Sequence, residues 1–137
     1  MTVAGALDYE TAQSHTITVK ATSIDGDFNT QNFTISVTNV NDNVPVLTDN
    51  NNSANTVAED AAAGATVGLT VLATDADTGA TISSYALTAG GDTFEINETT
   101  GVVTVKDTDG NGATNLDFET DESHTITVRA TASDGST

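Results

Sequence analysis

Short acidic and amide motifs are the part of this sequence that could carry chemistry. Residues 75–77 read Asp-Ala-Asp, and residues 41–43 read Asn-Asp-Asn. Side chains in a strand alternate with a period of about two residues, so both carboxylates of an Asp-x-Asp pair at a strand end lie on the same side. Calcium binds about six to eight oxygens from carboxylates, amides and backbone carbonyls, and it needs no nitrogen or sulfur ligand. The motifs therefore predict calcium binding.

The overall charge favours a cation as partner and excludes anionic ones. The chain has 20 acidic side chains against three basic ones, a formal net charge of −17, and no cysteine. Such a polyanion cannot neutralise a phosphate backbone or an anionic membrane surface, so nucleic-acid and lipid-surface binding are excluded. The absence of cysteine excludes disulfides, thiolate nucleophiles and Cys-ligated metals. Because crowded carboxylates repel one another unless divalent ions bridge them, we expect calcium to rigidify the protein.

An internal repeat indicates the domain organisation. Residues 7–26 and 116–135 are identical at 14 of 20 positions, at an offset of 109 residues. This period is too long for a solenoid and indicates tandem whole domains. The first copy continues into another strand and a linker with the only proline, whereas two residues follow the second copy. We therefore expect residues 1–43 to be the last two strands and linker of one repeat, and residues 44–137 to be the next repeat without its final strand.

Short alternating runs predict the strands that must position the motifs. The run from His15 to Ala21 places Ile, Val and Ala on one side, and its copy extends from His124 to Ala130. Gly- and Asp-rich turns separate the runs, and no stretch keeps a helical period over several turns. Strands at a spacing of about 8–12 residues predict an all-β sandwich. We expect strands at 15–22, 31–38, 55–58, 67–74, 82–88, 93–96, 102–105 and 124–131.

Several motifs follow one another in an order that a known family shares. Residues 39–45 read Asn-Val-Asn-Asp-Asn-Val-Pro, and the two repeat copies begin Leu-Asp-Tyr-Glu and Leu-Asp-Phe-Glu. Glu59 directly follows the predicted strand at 55–58, and Asp25 and Asp134 follow the penultimate strand of each copy. Together with the Asp-Ala-Asp motif, they resemble the DxNDNxP, LDRE and DxD motifs of tandem cadherin repeats of the bacterial surface-protein type. The resemblance covers essentially the whole chain, with Asn in place of the first Asp of the linker motif.

This resemblance implies a Greek-key, immunoglobulin-like sandwich of about seven strands per repeat, with calcium at the junctions between repeats. It implies as many as about three ions at one junction, held by Asp8, Glu10, the Val40 carbonyl, Asn41, Asp42, Asn43, Asp75, Asp77 and Asp134. The first repeat's counterpart of Glu59 is outside this sequence, so we expect the two ions that share it to be weak or missing. We expect the remaining ion to be complete, with the ligands Asn41, Asn43, Asp75, Asp77 and Asp134. The next junction would take Glu59, Asp117 and Glu119, which form half a site.

A second calcium candidate is the segment 107–112, Asp-Thr-Asp-Gly-Asn-Gly. It matches the opening of an EF-hand loop, in which Asp107, Asp109 and Asn111 would be ligands. Such a loop needs a bidentate glutamate at its twelfth position, but that position is Phe118 and Glu119 comes one residue late. The alternative is a plain Asp/Gly hairpin turn. The sequence leaves both interpretations open.

Enzymatic chemistry is not favoured by the remaining polar residues. His15 and His124 occupy the same position in both repeat copies, which indicates a framework role rather than zinc binding or general-base catalysis. Paired carboxylates could suggest glycoside hydrolysis, but the chain has no Trp and few aromatics on which a sugar could stack. The sequence contains neither a nucleophile elbow nor a cofactor motif. We expect no enzymatic activity.

The favoured function is that of a calcium-binding repeat of a secreted or cell-surface bacterial adhesin. It would act in calcium-dependent, including homophilic, adhesion or as a calcium-rigidified extender, with other cadherin-like repeats as partners. The alternative is a carbohydrate-binding module of a secreted polysaccharide-degrading or matrix protein, with surface glycans as partners. Without a final strand, strand 124–131 would have an open edge. Segment 31–38 of a second molecule could complete it, giving a strand-swapped or head-to-tail homo-oligomer.

Overall fold

All regular elements in residues 2–137, the part of the chain that the computed structural model describes, are β-strands. No helix within this range is long and apolar enough to cross a membrane. The chain divides into two units, Met1–Asp42 and Asn43–Thr137. The smaller unit contains one antiparallel hairpin, in which β1 (Ser14–Thr22) pairs with β2 (Phe28–Ser36). The side chains of this hairpin are exposed, except that Ile17 is half-buried.

Six strands build the larger unit. They are β3 (Val46–Asp49), β4 (Thr66–Thr74), β5 (Ile82–Ala89), β6 (Phe94–Ile96), β7 (Val102–Val105) and β8 (Thr127–Ala132). One sheet has the order β3-β4-β7-β6, and β5 pairs with β8 in the other. All neighbouring strands are antiparallel. The prediction of an all-β fold is therefore confirmed.

The core of the larger unit consists mainly of small aliphatic side chains between the two sheets. Val103 and Val105 of β7 are completely buried and pack with Phe94. A second cluster joins β4 to β5 and β8, and within it the Ala73 amide donates a hydrogen bond to the Tyr85 hydroxyl at 3.0 Å. Burial of alternate side chains explains why these β-branched runs form strands. The two packed sheets form an immunoglobulin-like sandwich.

The turn between β6 and β7 requires glycine. Gly101 has φ of +71°, and a Cβ at this position would collide with the carbonyl oxygen of Val71. The side chain of Asn97 accepts hydrogen bonds from the amides of Thr99 and Thr100, which closes the turn. The close approach explains how β7 packs against the centre of β4.

The predicted strand at 55–58 is wrong. These residues are irregular, and the strand that precedes β4 is instead β3, which pairs Val46 with Thr74 and Asp49 with Val71. Val57 still packs against the core, so its apolar character reflects burial rather than strand pairing. Two other strands shift along the chain: β2 begins and ends earlier than 31–38, and β8 begins later than residue 124.

Candidate functional site

Three carboxylates come together where β4 and β8 end. Asp75 directly follows β4, Asp77 lies two residues further on, and Asp134 lies just beyond β8. One oxygen of each lies within 4.8 Å of the others. We refer to these three residues as the aspartate cluster. The sequence predicted them as ligands of a single ion, and their role as calcium ligands stays a prediction.

Asp77 is a buried charged side chain, with 5% of its surface exposed. The backbone amide of Asn43 and its side-chain Nδ2 donate to the two carboxylate oxygens of Asp77, each at 3.0 Å. A buried carboxylate is costly unless it is hydrogen-bonded or paired. The two bonds from Asn43 therefore hold both oxygens in place, and they fix Asn43 beside the aspartate cluster.

A serine that the sequence analysis did not single out joins the other two carboxylates. The Ser136 hydroxyl lies 2.9 Å from Asp75 Oδ2 and 2.8 Å from Asp134 Oδ1, and the Ser136 amide donates to Asp134 Oδ1 at 2.9 Å. One hydroxyl proton can serve only one of the two carboxylates at a time. Ser136 corresponds to Asp27 in the first repeat copy, and this alignment was the only sequence signal for its position.

A second group of carboxylates, the glutamate cluster, consists of Glu59, Asp117 and Glu119. One oxygen of each lies within 4.8 Å of the others, and all three residues are exposed. The Phe118 amide donates to Glu59 Oε2 at 2.8 Å, which joins two segments that are far apart in the sequence. Thr120 donates to Asp117 from its amide at 3.2 Å and from its hydroxyl at 2.9 Å. The structure thus brings together the three residues that were predicted as half a site.

The first repeat copy forms the same acidic turn in the smaller unit. Asp8 Oδ1 accepts hydrogen bonds from the Glu10 and Thr11 amides at 3.0 and 3.2 Å, and Asp8 Oδ2 accepts one from the Thr11 hydroxyl at 2.6 Å. The Thr11 hydroxyl, followed by the Thr11 amide, lowers the pKa of Asp8 from its ordinary value. One carboxylate oxygen of Glu10 lies within 4.8 Å of one of Asp42. The ligand roles of Val40 and Asn41 stay predictions.

The segment 107–112 forms a loop closed by its own side chains. Asp107 accepts hydrogen bonds from the amides of Asp109, Gly110 and Gly112 at 3.2, 2.7 and 3.1 Å. Asp109 Oδ1 accepts from the Asn111 and Ala113 amides at 2.7 and 3.1 Å, and these bonds lower the pKa of Asp109. Such bonds are typical of Asp/Gly turns. Calcium binding by Asp107, Asp109 and Asn111 stays a prediction.

The donor chemistry of both clusters fits a hard divalent cation. Each cluster presents carboxylate oxygens with a serine or threonine hydroxyl beside them, and calcium prefers oxygen ligands of this kind. Two of the three basic side chains make other contacts: Lys20 Nζ lies 4.0 Å above the Phe28 ring, and Lys106 Nζ donates to the Gly91 carbonyl at 2.6 Å. Because these two lysines contact other groups, a divalent ion would balance the negative charge of the clustered carboxylates.

A Cadherin domain model matches residues 54–137, more than half of the chain. Protocadherin Fat 4 from Homo sapiens is 39% identical over 135 residues, and its Mus musculus counterpart is 38% identical. Each comparison covers 95% of this chain, which spans only 2% of the length of either relative. Because both relatives are mammalian, the bacterial type of repeat stays a prediction.

Solved cadherin structures resemble the protein along nearly its whole length. Mouse Cadherin-23 EC22-24 has a TM-score of 0.59 and 26% identity, over 97% of this chain and 40% of that one. Chicken VE-cadherin EC1-2 has a TM-score of 0.56 and 25% identity, over 97% of this chain and 64% of that one. These structures and the domain match agree with the motifs of the sequence. The chain belongs to the cadherin family.

Proposed function

We propose that this chain is a calcium-binding stretch of tandem cadherin repeats within a larger extracellular or cell-surface protein. Calcium would rigidify it, so that it acts in adhesion or as a spacer between adhesive domains. The aspartate cluster carries the proposal, because it places three carboxylates together and buries one of them. Cadherin domains are adhesion modules, and no enzymatic activity is proposed.

Electrostatics supports an ion at the aspartate cluster. Two unit charges about 5 Å apart repel by about 3 kcal/mol at an effective dielectric constant of about 20. The hydroxyl of Ser136 offers one proton to Asp75 and Asp134 together, so it offsets only part of this repulsion. A divalent ion would turn the repulsion into attraction, and its binding would stabilise the folded state by mass action.

We propose the domain arrangement that the repeat indicates. Residues 1–43 would be the last two strands and linker of one repeat, and residues 44–137 would belong to the next. The division of the chain after Asp42 and the family match over 54–137 support this arrangement. Ions at the junction would add Asp8, Glu10, Asp42, Asn41 and the Val40 carbonyl to the aspartate cluster and Asn43. The glutamate cluster would serve the following junction.

The partners proposed for this chain are neighbouring repeats of its own array and other cadherin repeats, including homophilic ones. Its solved relatives are multi-repeat cadherin fragments, which supports repeat–repeat association. A bacterial surface protein as the source rests on the motif resemblance alone. Glycan binding stays a prediction from the sequence, since no contact in the structure favours it over calcium binding.

Calorimetric calcium titration of the whole chain and of Asp134→Asn tests the proposal. Asp134 is exposed, so its replacement should leave the fold intact while removing one ligand of the aspartate cluster. We expect the wild-type protein to bind calcium and the variant to lose at least tenfold in affinity at one site. The matched control is Asp92→Asn, an exposed aspartate outside both clusters. Equal titrations of all three proteins would refute the assignment of the site.

A further inference from the structure

Three asparagines begin an acceptor motif for glycosylation. The motif is Asn-x-Ser/Thr with any residue except proline in the middle, and it occurs at 32–34, 51–53 and 97–99. In a secreted protein such a motif receives a glycan when it lies in a surface loop. So short a motif is frequent by chance in a chain rich in Asn and Thr. The structure distinguishes the three by the surroundings of each asparagine.

Two of the motifs lie in unsuitable surroundings. Asn51 is half-buried, and its Nδ2, the atom that a glycan would modify, donates to the Thr70 hydroxyl at 3.2 Å. Asn32 lies in the middle of β2, and its Oδ1 accepts a hydrogen bond from the Thr18 hydroxyl of β1 at 2.7 Å. A half-buried amide and a paired strand are not the surface loop that the motif requires.

The third motif forms the turn between β6 and β7, and its three residues are exposed. Asn97 Oδ1 accepts hydrogen bonds from the amides of Thr99 and Thr100 at 3.0 and 2.9 Å. Among the described residues, Nδ2 of Asn97 has no hydrogen-bond partner. The side chain is therefore fixed through its oxygen, and modification of its nitrogen costs no hydrogen bond of the fold.

A groove beside this turn has room for the first sugar of a glycan. It has a volume of about 380 Å³ and is lined by Glu95, Ile96, Asn97, Thr100, Val102 and Thr104. Glu95 and Thr104 lie opposite each other on β6 and β7, on the side of the sheet that faces away from the core. The carboxylate and the two threonine hydroxyls can hydrogen-bond to sugar hydroxyls, and Val102 offers an apolar contact to the sugar ring.

We propose that Asn97 is the acceptor of an N-linked glycan whose first sugar lies in this groove. The donor is an oligosaccharide linked to a lipid pyrophosphate. Nδ2 attacks C1 of the first sugar, the C1–O bond to the pyrophosphate breaks, and the N–C1 bond forms. Nδ2 loses one proton, and the lipid pyrophosphate departs with the electron pair of the broken bond. The proposal takes only the extracellular location from the proposed function, because it requires secretion but no calcium.

A glycan at this turn would cover one face of the domain. The Val71 amide donates to the Gly101 carbonyl at 2.9 Å, so the turn lies beside β4 ahead of its end, whereas the aspartate cluster begins just after β4. An attached glycan is bulky and hydrophilic. It would keep the outer face of β6 and β7 out of contacts with other repeats.

Production of the whole chain in mammalian cells, behind a cleavable secretion leader, tests the acceptor. Thr99→Ala removes the motif but keeps Asn97 and the two amide hydrogen bonds to its oxygen. Intact-mass spectrometry before and after treatment with peptide-N-glycosidase should show one glycan on the wild type and none on Thr99→Ala. Thr99→Ser restores the motif and should restore the glycan. The control Thr34→Ala, which removes the motif at 32–34, should keep it.

Each result either supports or overturns the assignment of the acceptor. Loss of the glycan in Thr99→Ala together with its presence in Thr99→Ser and Thr34→Ala supports Asn97. A wild type that carries no glycan in the cells or in the medium, or a Thr99→Ala variant that keeps one, overturns it. Neither result depends on whether the aspartate cluster binds calcium.

Two-dimensional NMR tests the position of the first sugar. An endoglycosidase trims the secreted chain to a single sugar, and the same chain made in the bacterial cytoplasm is the unmodified reference. The amide signals of Val102 and Thr104 should shift between the two, whereas that of Thr127 in the other sheet should not. Shifts confined to residues 96–100 would overturn the position in the groove.

Discussion

Replacing Asp75 by Asn should have opposite effects on stability with and without calcium. The substitution removes one charge but keeps the hydrogen bonds: the amide oxygen still accepts from Asp77, and the amide nitrogen donates to the Ser136 hydroxyl. Asp75 lies within 4.8 Å of two other carboxylates. The repulsion from a single neighbour is about 3 kcal/mol before screening, and about 1 kcal/mol should survive in this half-buried position.

In chelator, Asp75→Asn should therefore unfold about 4–8 °C higher than the wild type. In calcium the order should reverse. The wild type gains about 2.7 kcal/mol when free calcium is about 100 times the dissociation constant, and the variant lacks this gain at the aspartate cluster. Thermal unfolding followed by circular dichroism measures both effects. Asp92→Asn, with the same loss of charge away from the clusters, should change either midpoint little. A variant that is less stable than the wild type in chelator, or that keeps the full calcium shift, would refute the electrostatic reasoning.

Three further predictions concern the fold and the acidic turn. Gly101→Ala should destabilise the protein by about 3 kcal/mol in chemical denaturation, because φ is positive there and the new methyl group meets a carbonyl of β4. The control Gly135→Ala also has positive φ but open space around it, so it should cost only about 1–2 kcal/mol. Val103→Ala should cost about 2–3 kcal/mol in the same measurement, since it leaves a cavity at a completely buried position. Thr11→Val should raise the pKa of Asp8 toward its ordinary value, as measured by NMR titration, because the Thr11 hydroxyl is the main cause of the lowered value. A lowered folded-state pKa stabilises the protein above the unfolded-state pKa, and this contribution disappears as the pH falls through the folded-state value. An unchanged pKa in the variant would show that the backbone amides suffice.

Regular patterns in the sequence predicted most of the fold. Alternating residues predicted the central strands, because burial of every second side chain is a local property that the sequence displays directly. Strand β3 was missed, since residues 46–49 follow the proline and resemble a linker until they pair with the end of β4. The segment 55–58 has strand-forming residues but no partner strand in the described chain. A strand forms only where a neighbouring strand can pair with it, and the strand propensity of single residues does not predict whether such a partner is present.

The carboxylates of the candidate site were predicted from the sequence, whereas the groups that hydrogen-bond to them were not. The Asp-x-Asp motif and the resemblance to cadherin repeats predicted that Asp75, Asp77 and Asp134 share one site, and the structure places one oxygen of each within 4.8 Å of the others. Ser136 was not predicted, since a hydroxyl gains its role only when the ends of β4 and β8 meet. The contact of Glu59 with the Phe118 amide is likewise tertiary. The spacing of residues in the sequence indicated which carboxylates could bind an ion. Several of the hydroxyl and amide groups that hydrogen-bond to those carboxylates come from distant parts of the chain, so only the folded structure identifies them.

The calcium dependence of wild-type unfolding tests the central claim most directly. The protein would be melted at neutral pH in millimolar calcium, in the same concentration of magnesium, and in chelator. Because calcium accepts the irregular oxygen sites that crowded carboxylates offer and magnesium demands near-octahedral geometry, calcium should raise the midpoint by about 10 °C or more and magnesium by much less. Superimposable melting curves in calcium and in chelator would contradict the account.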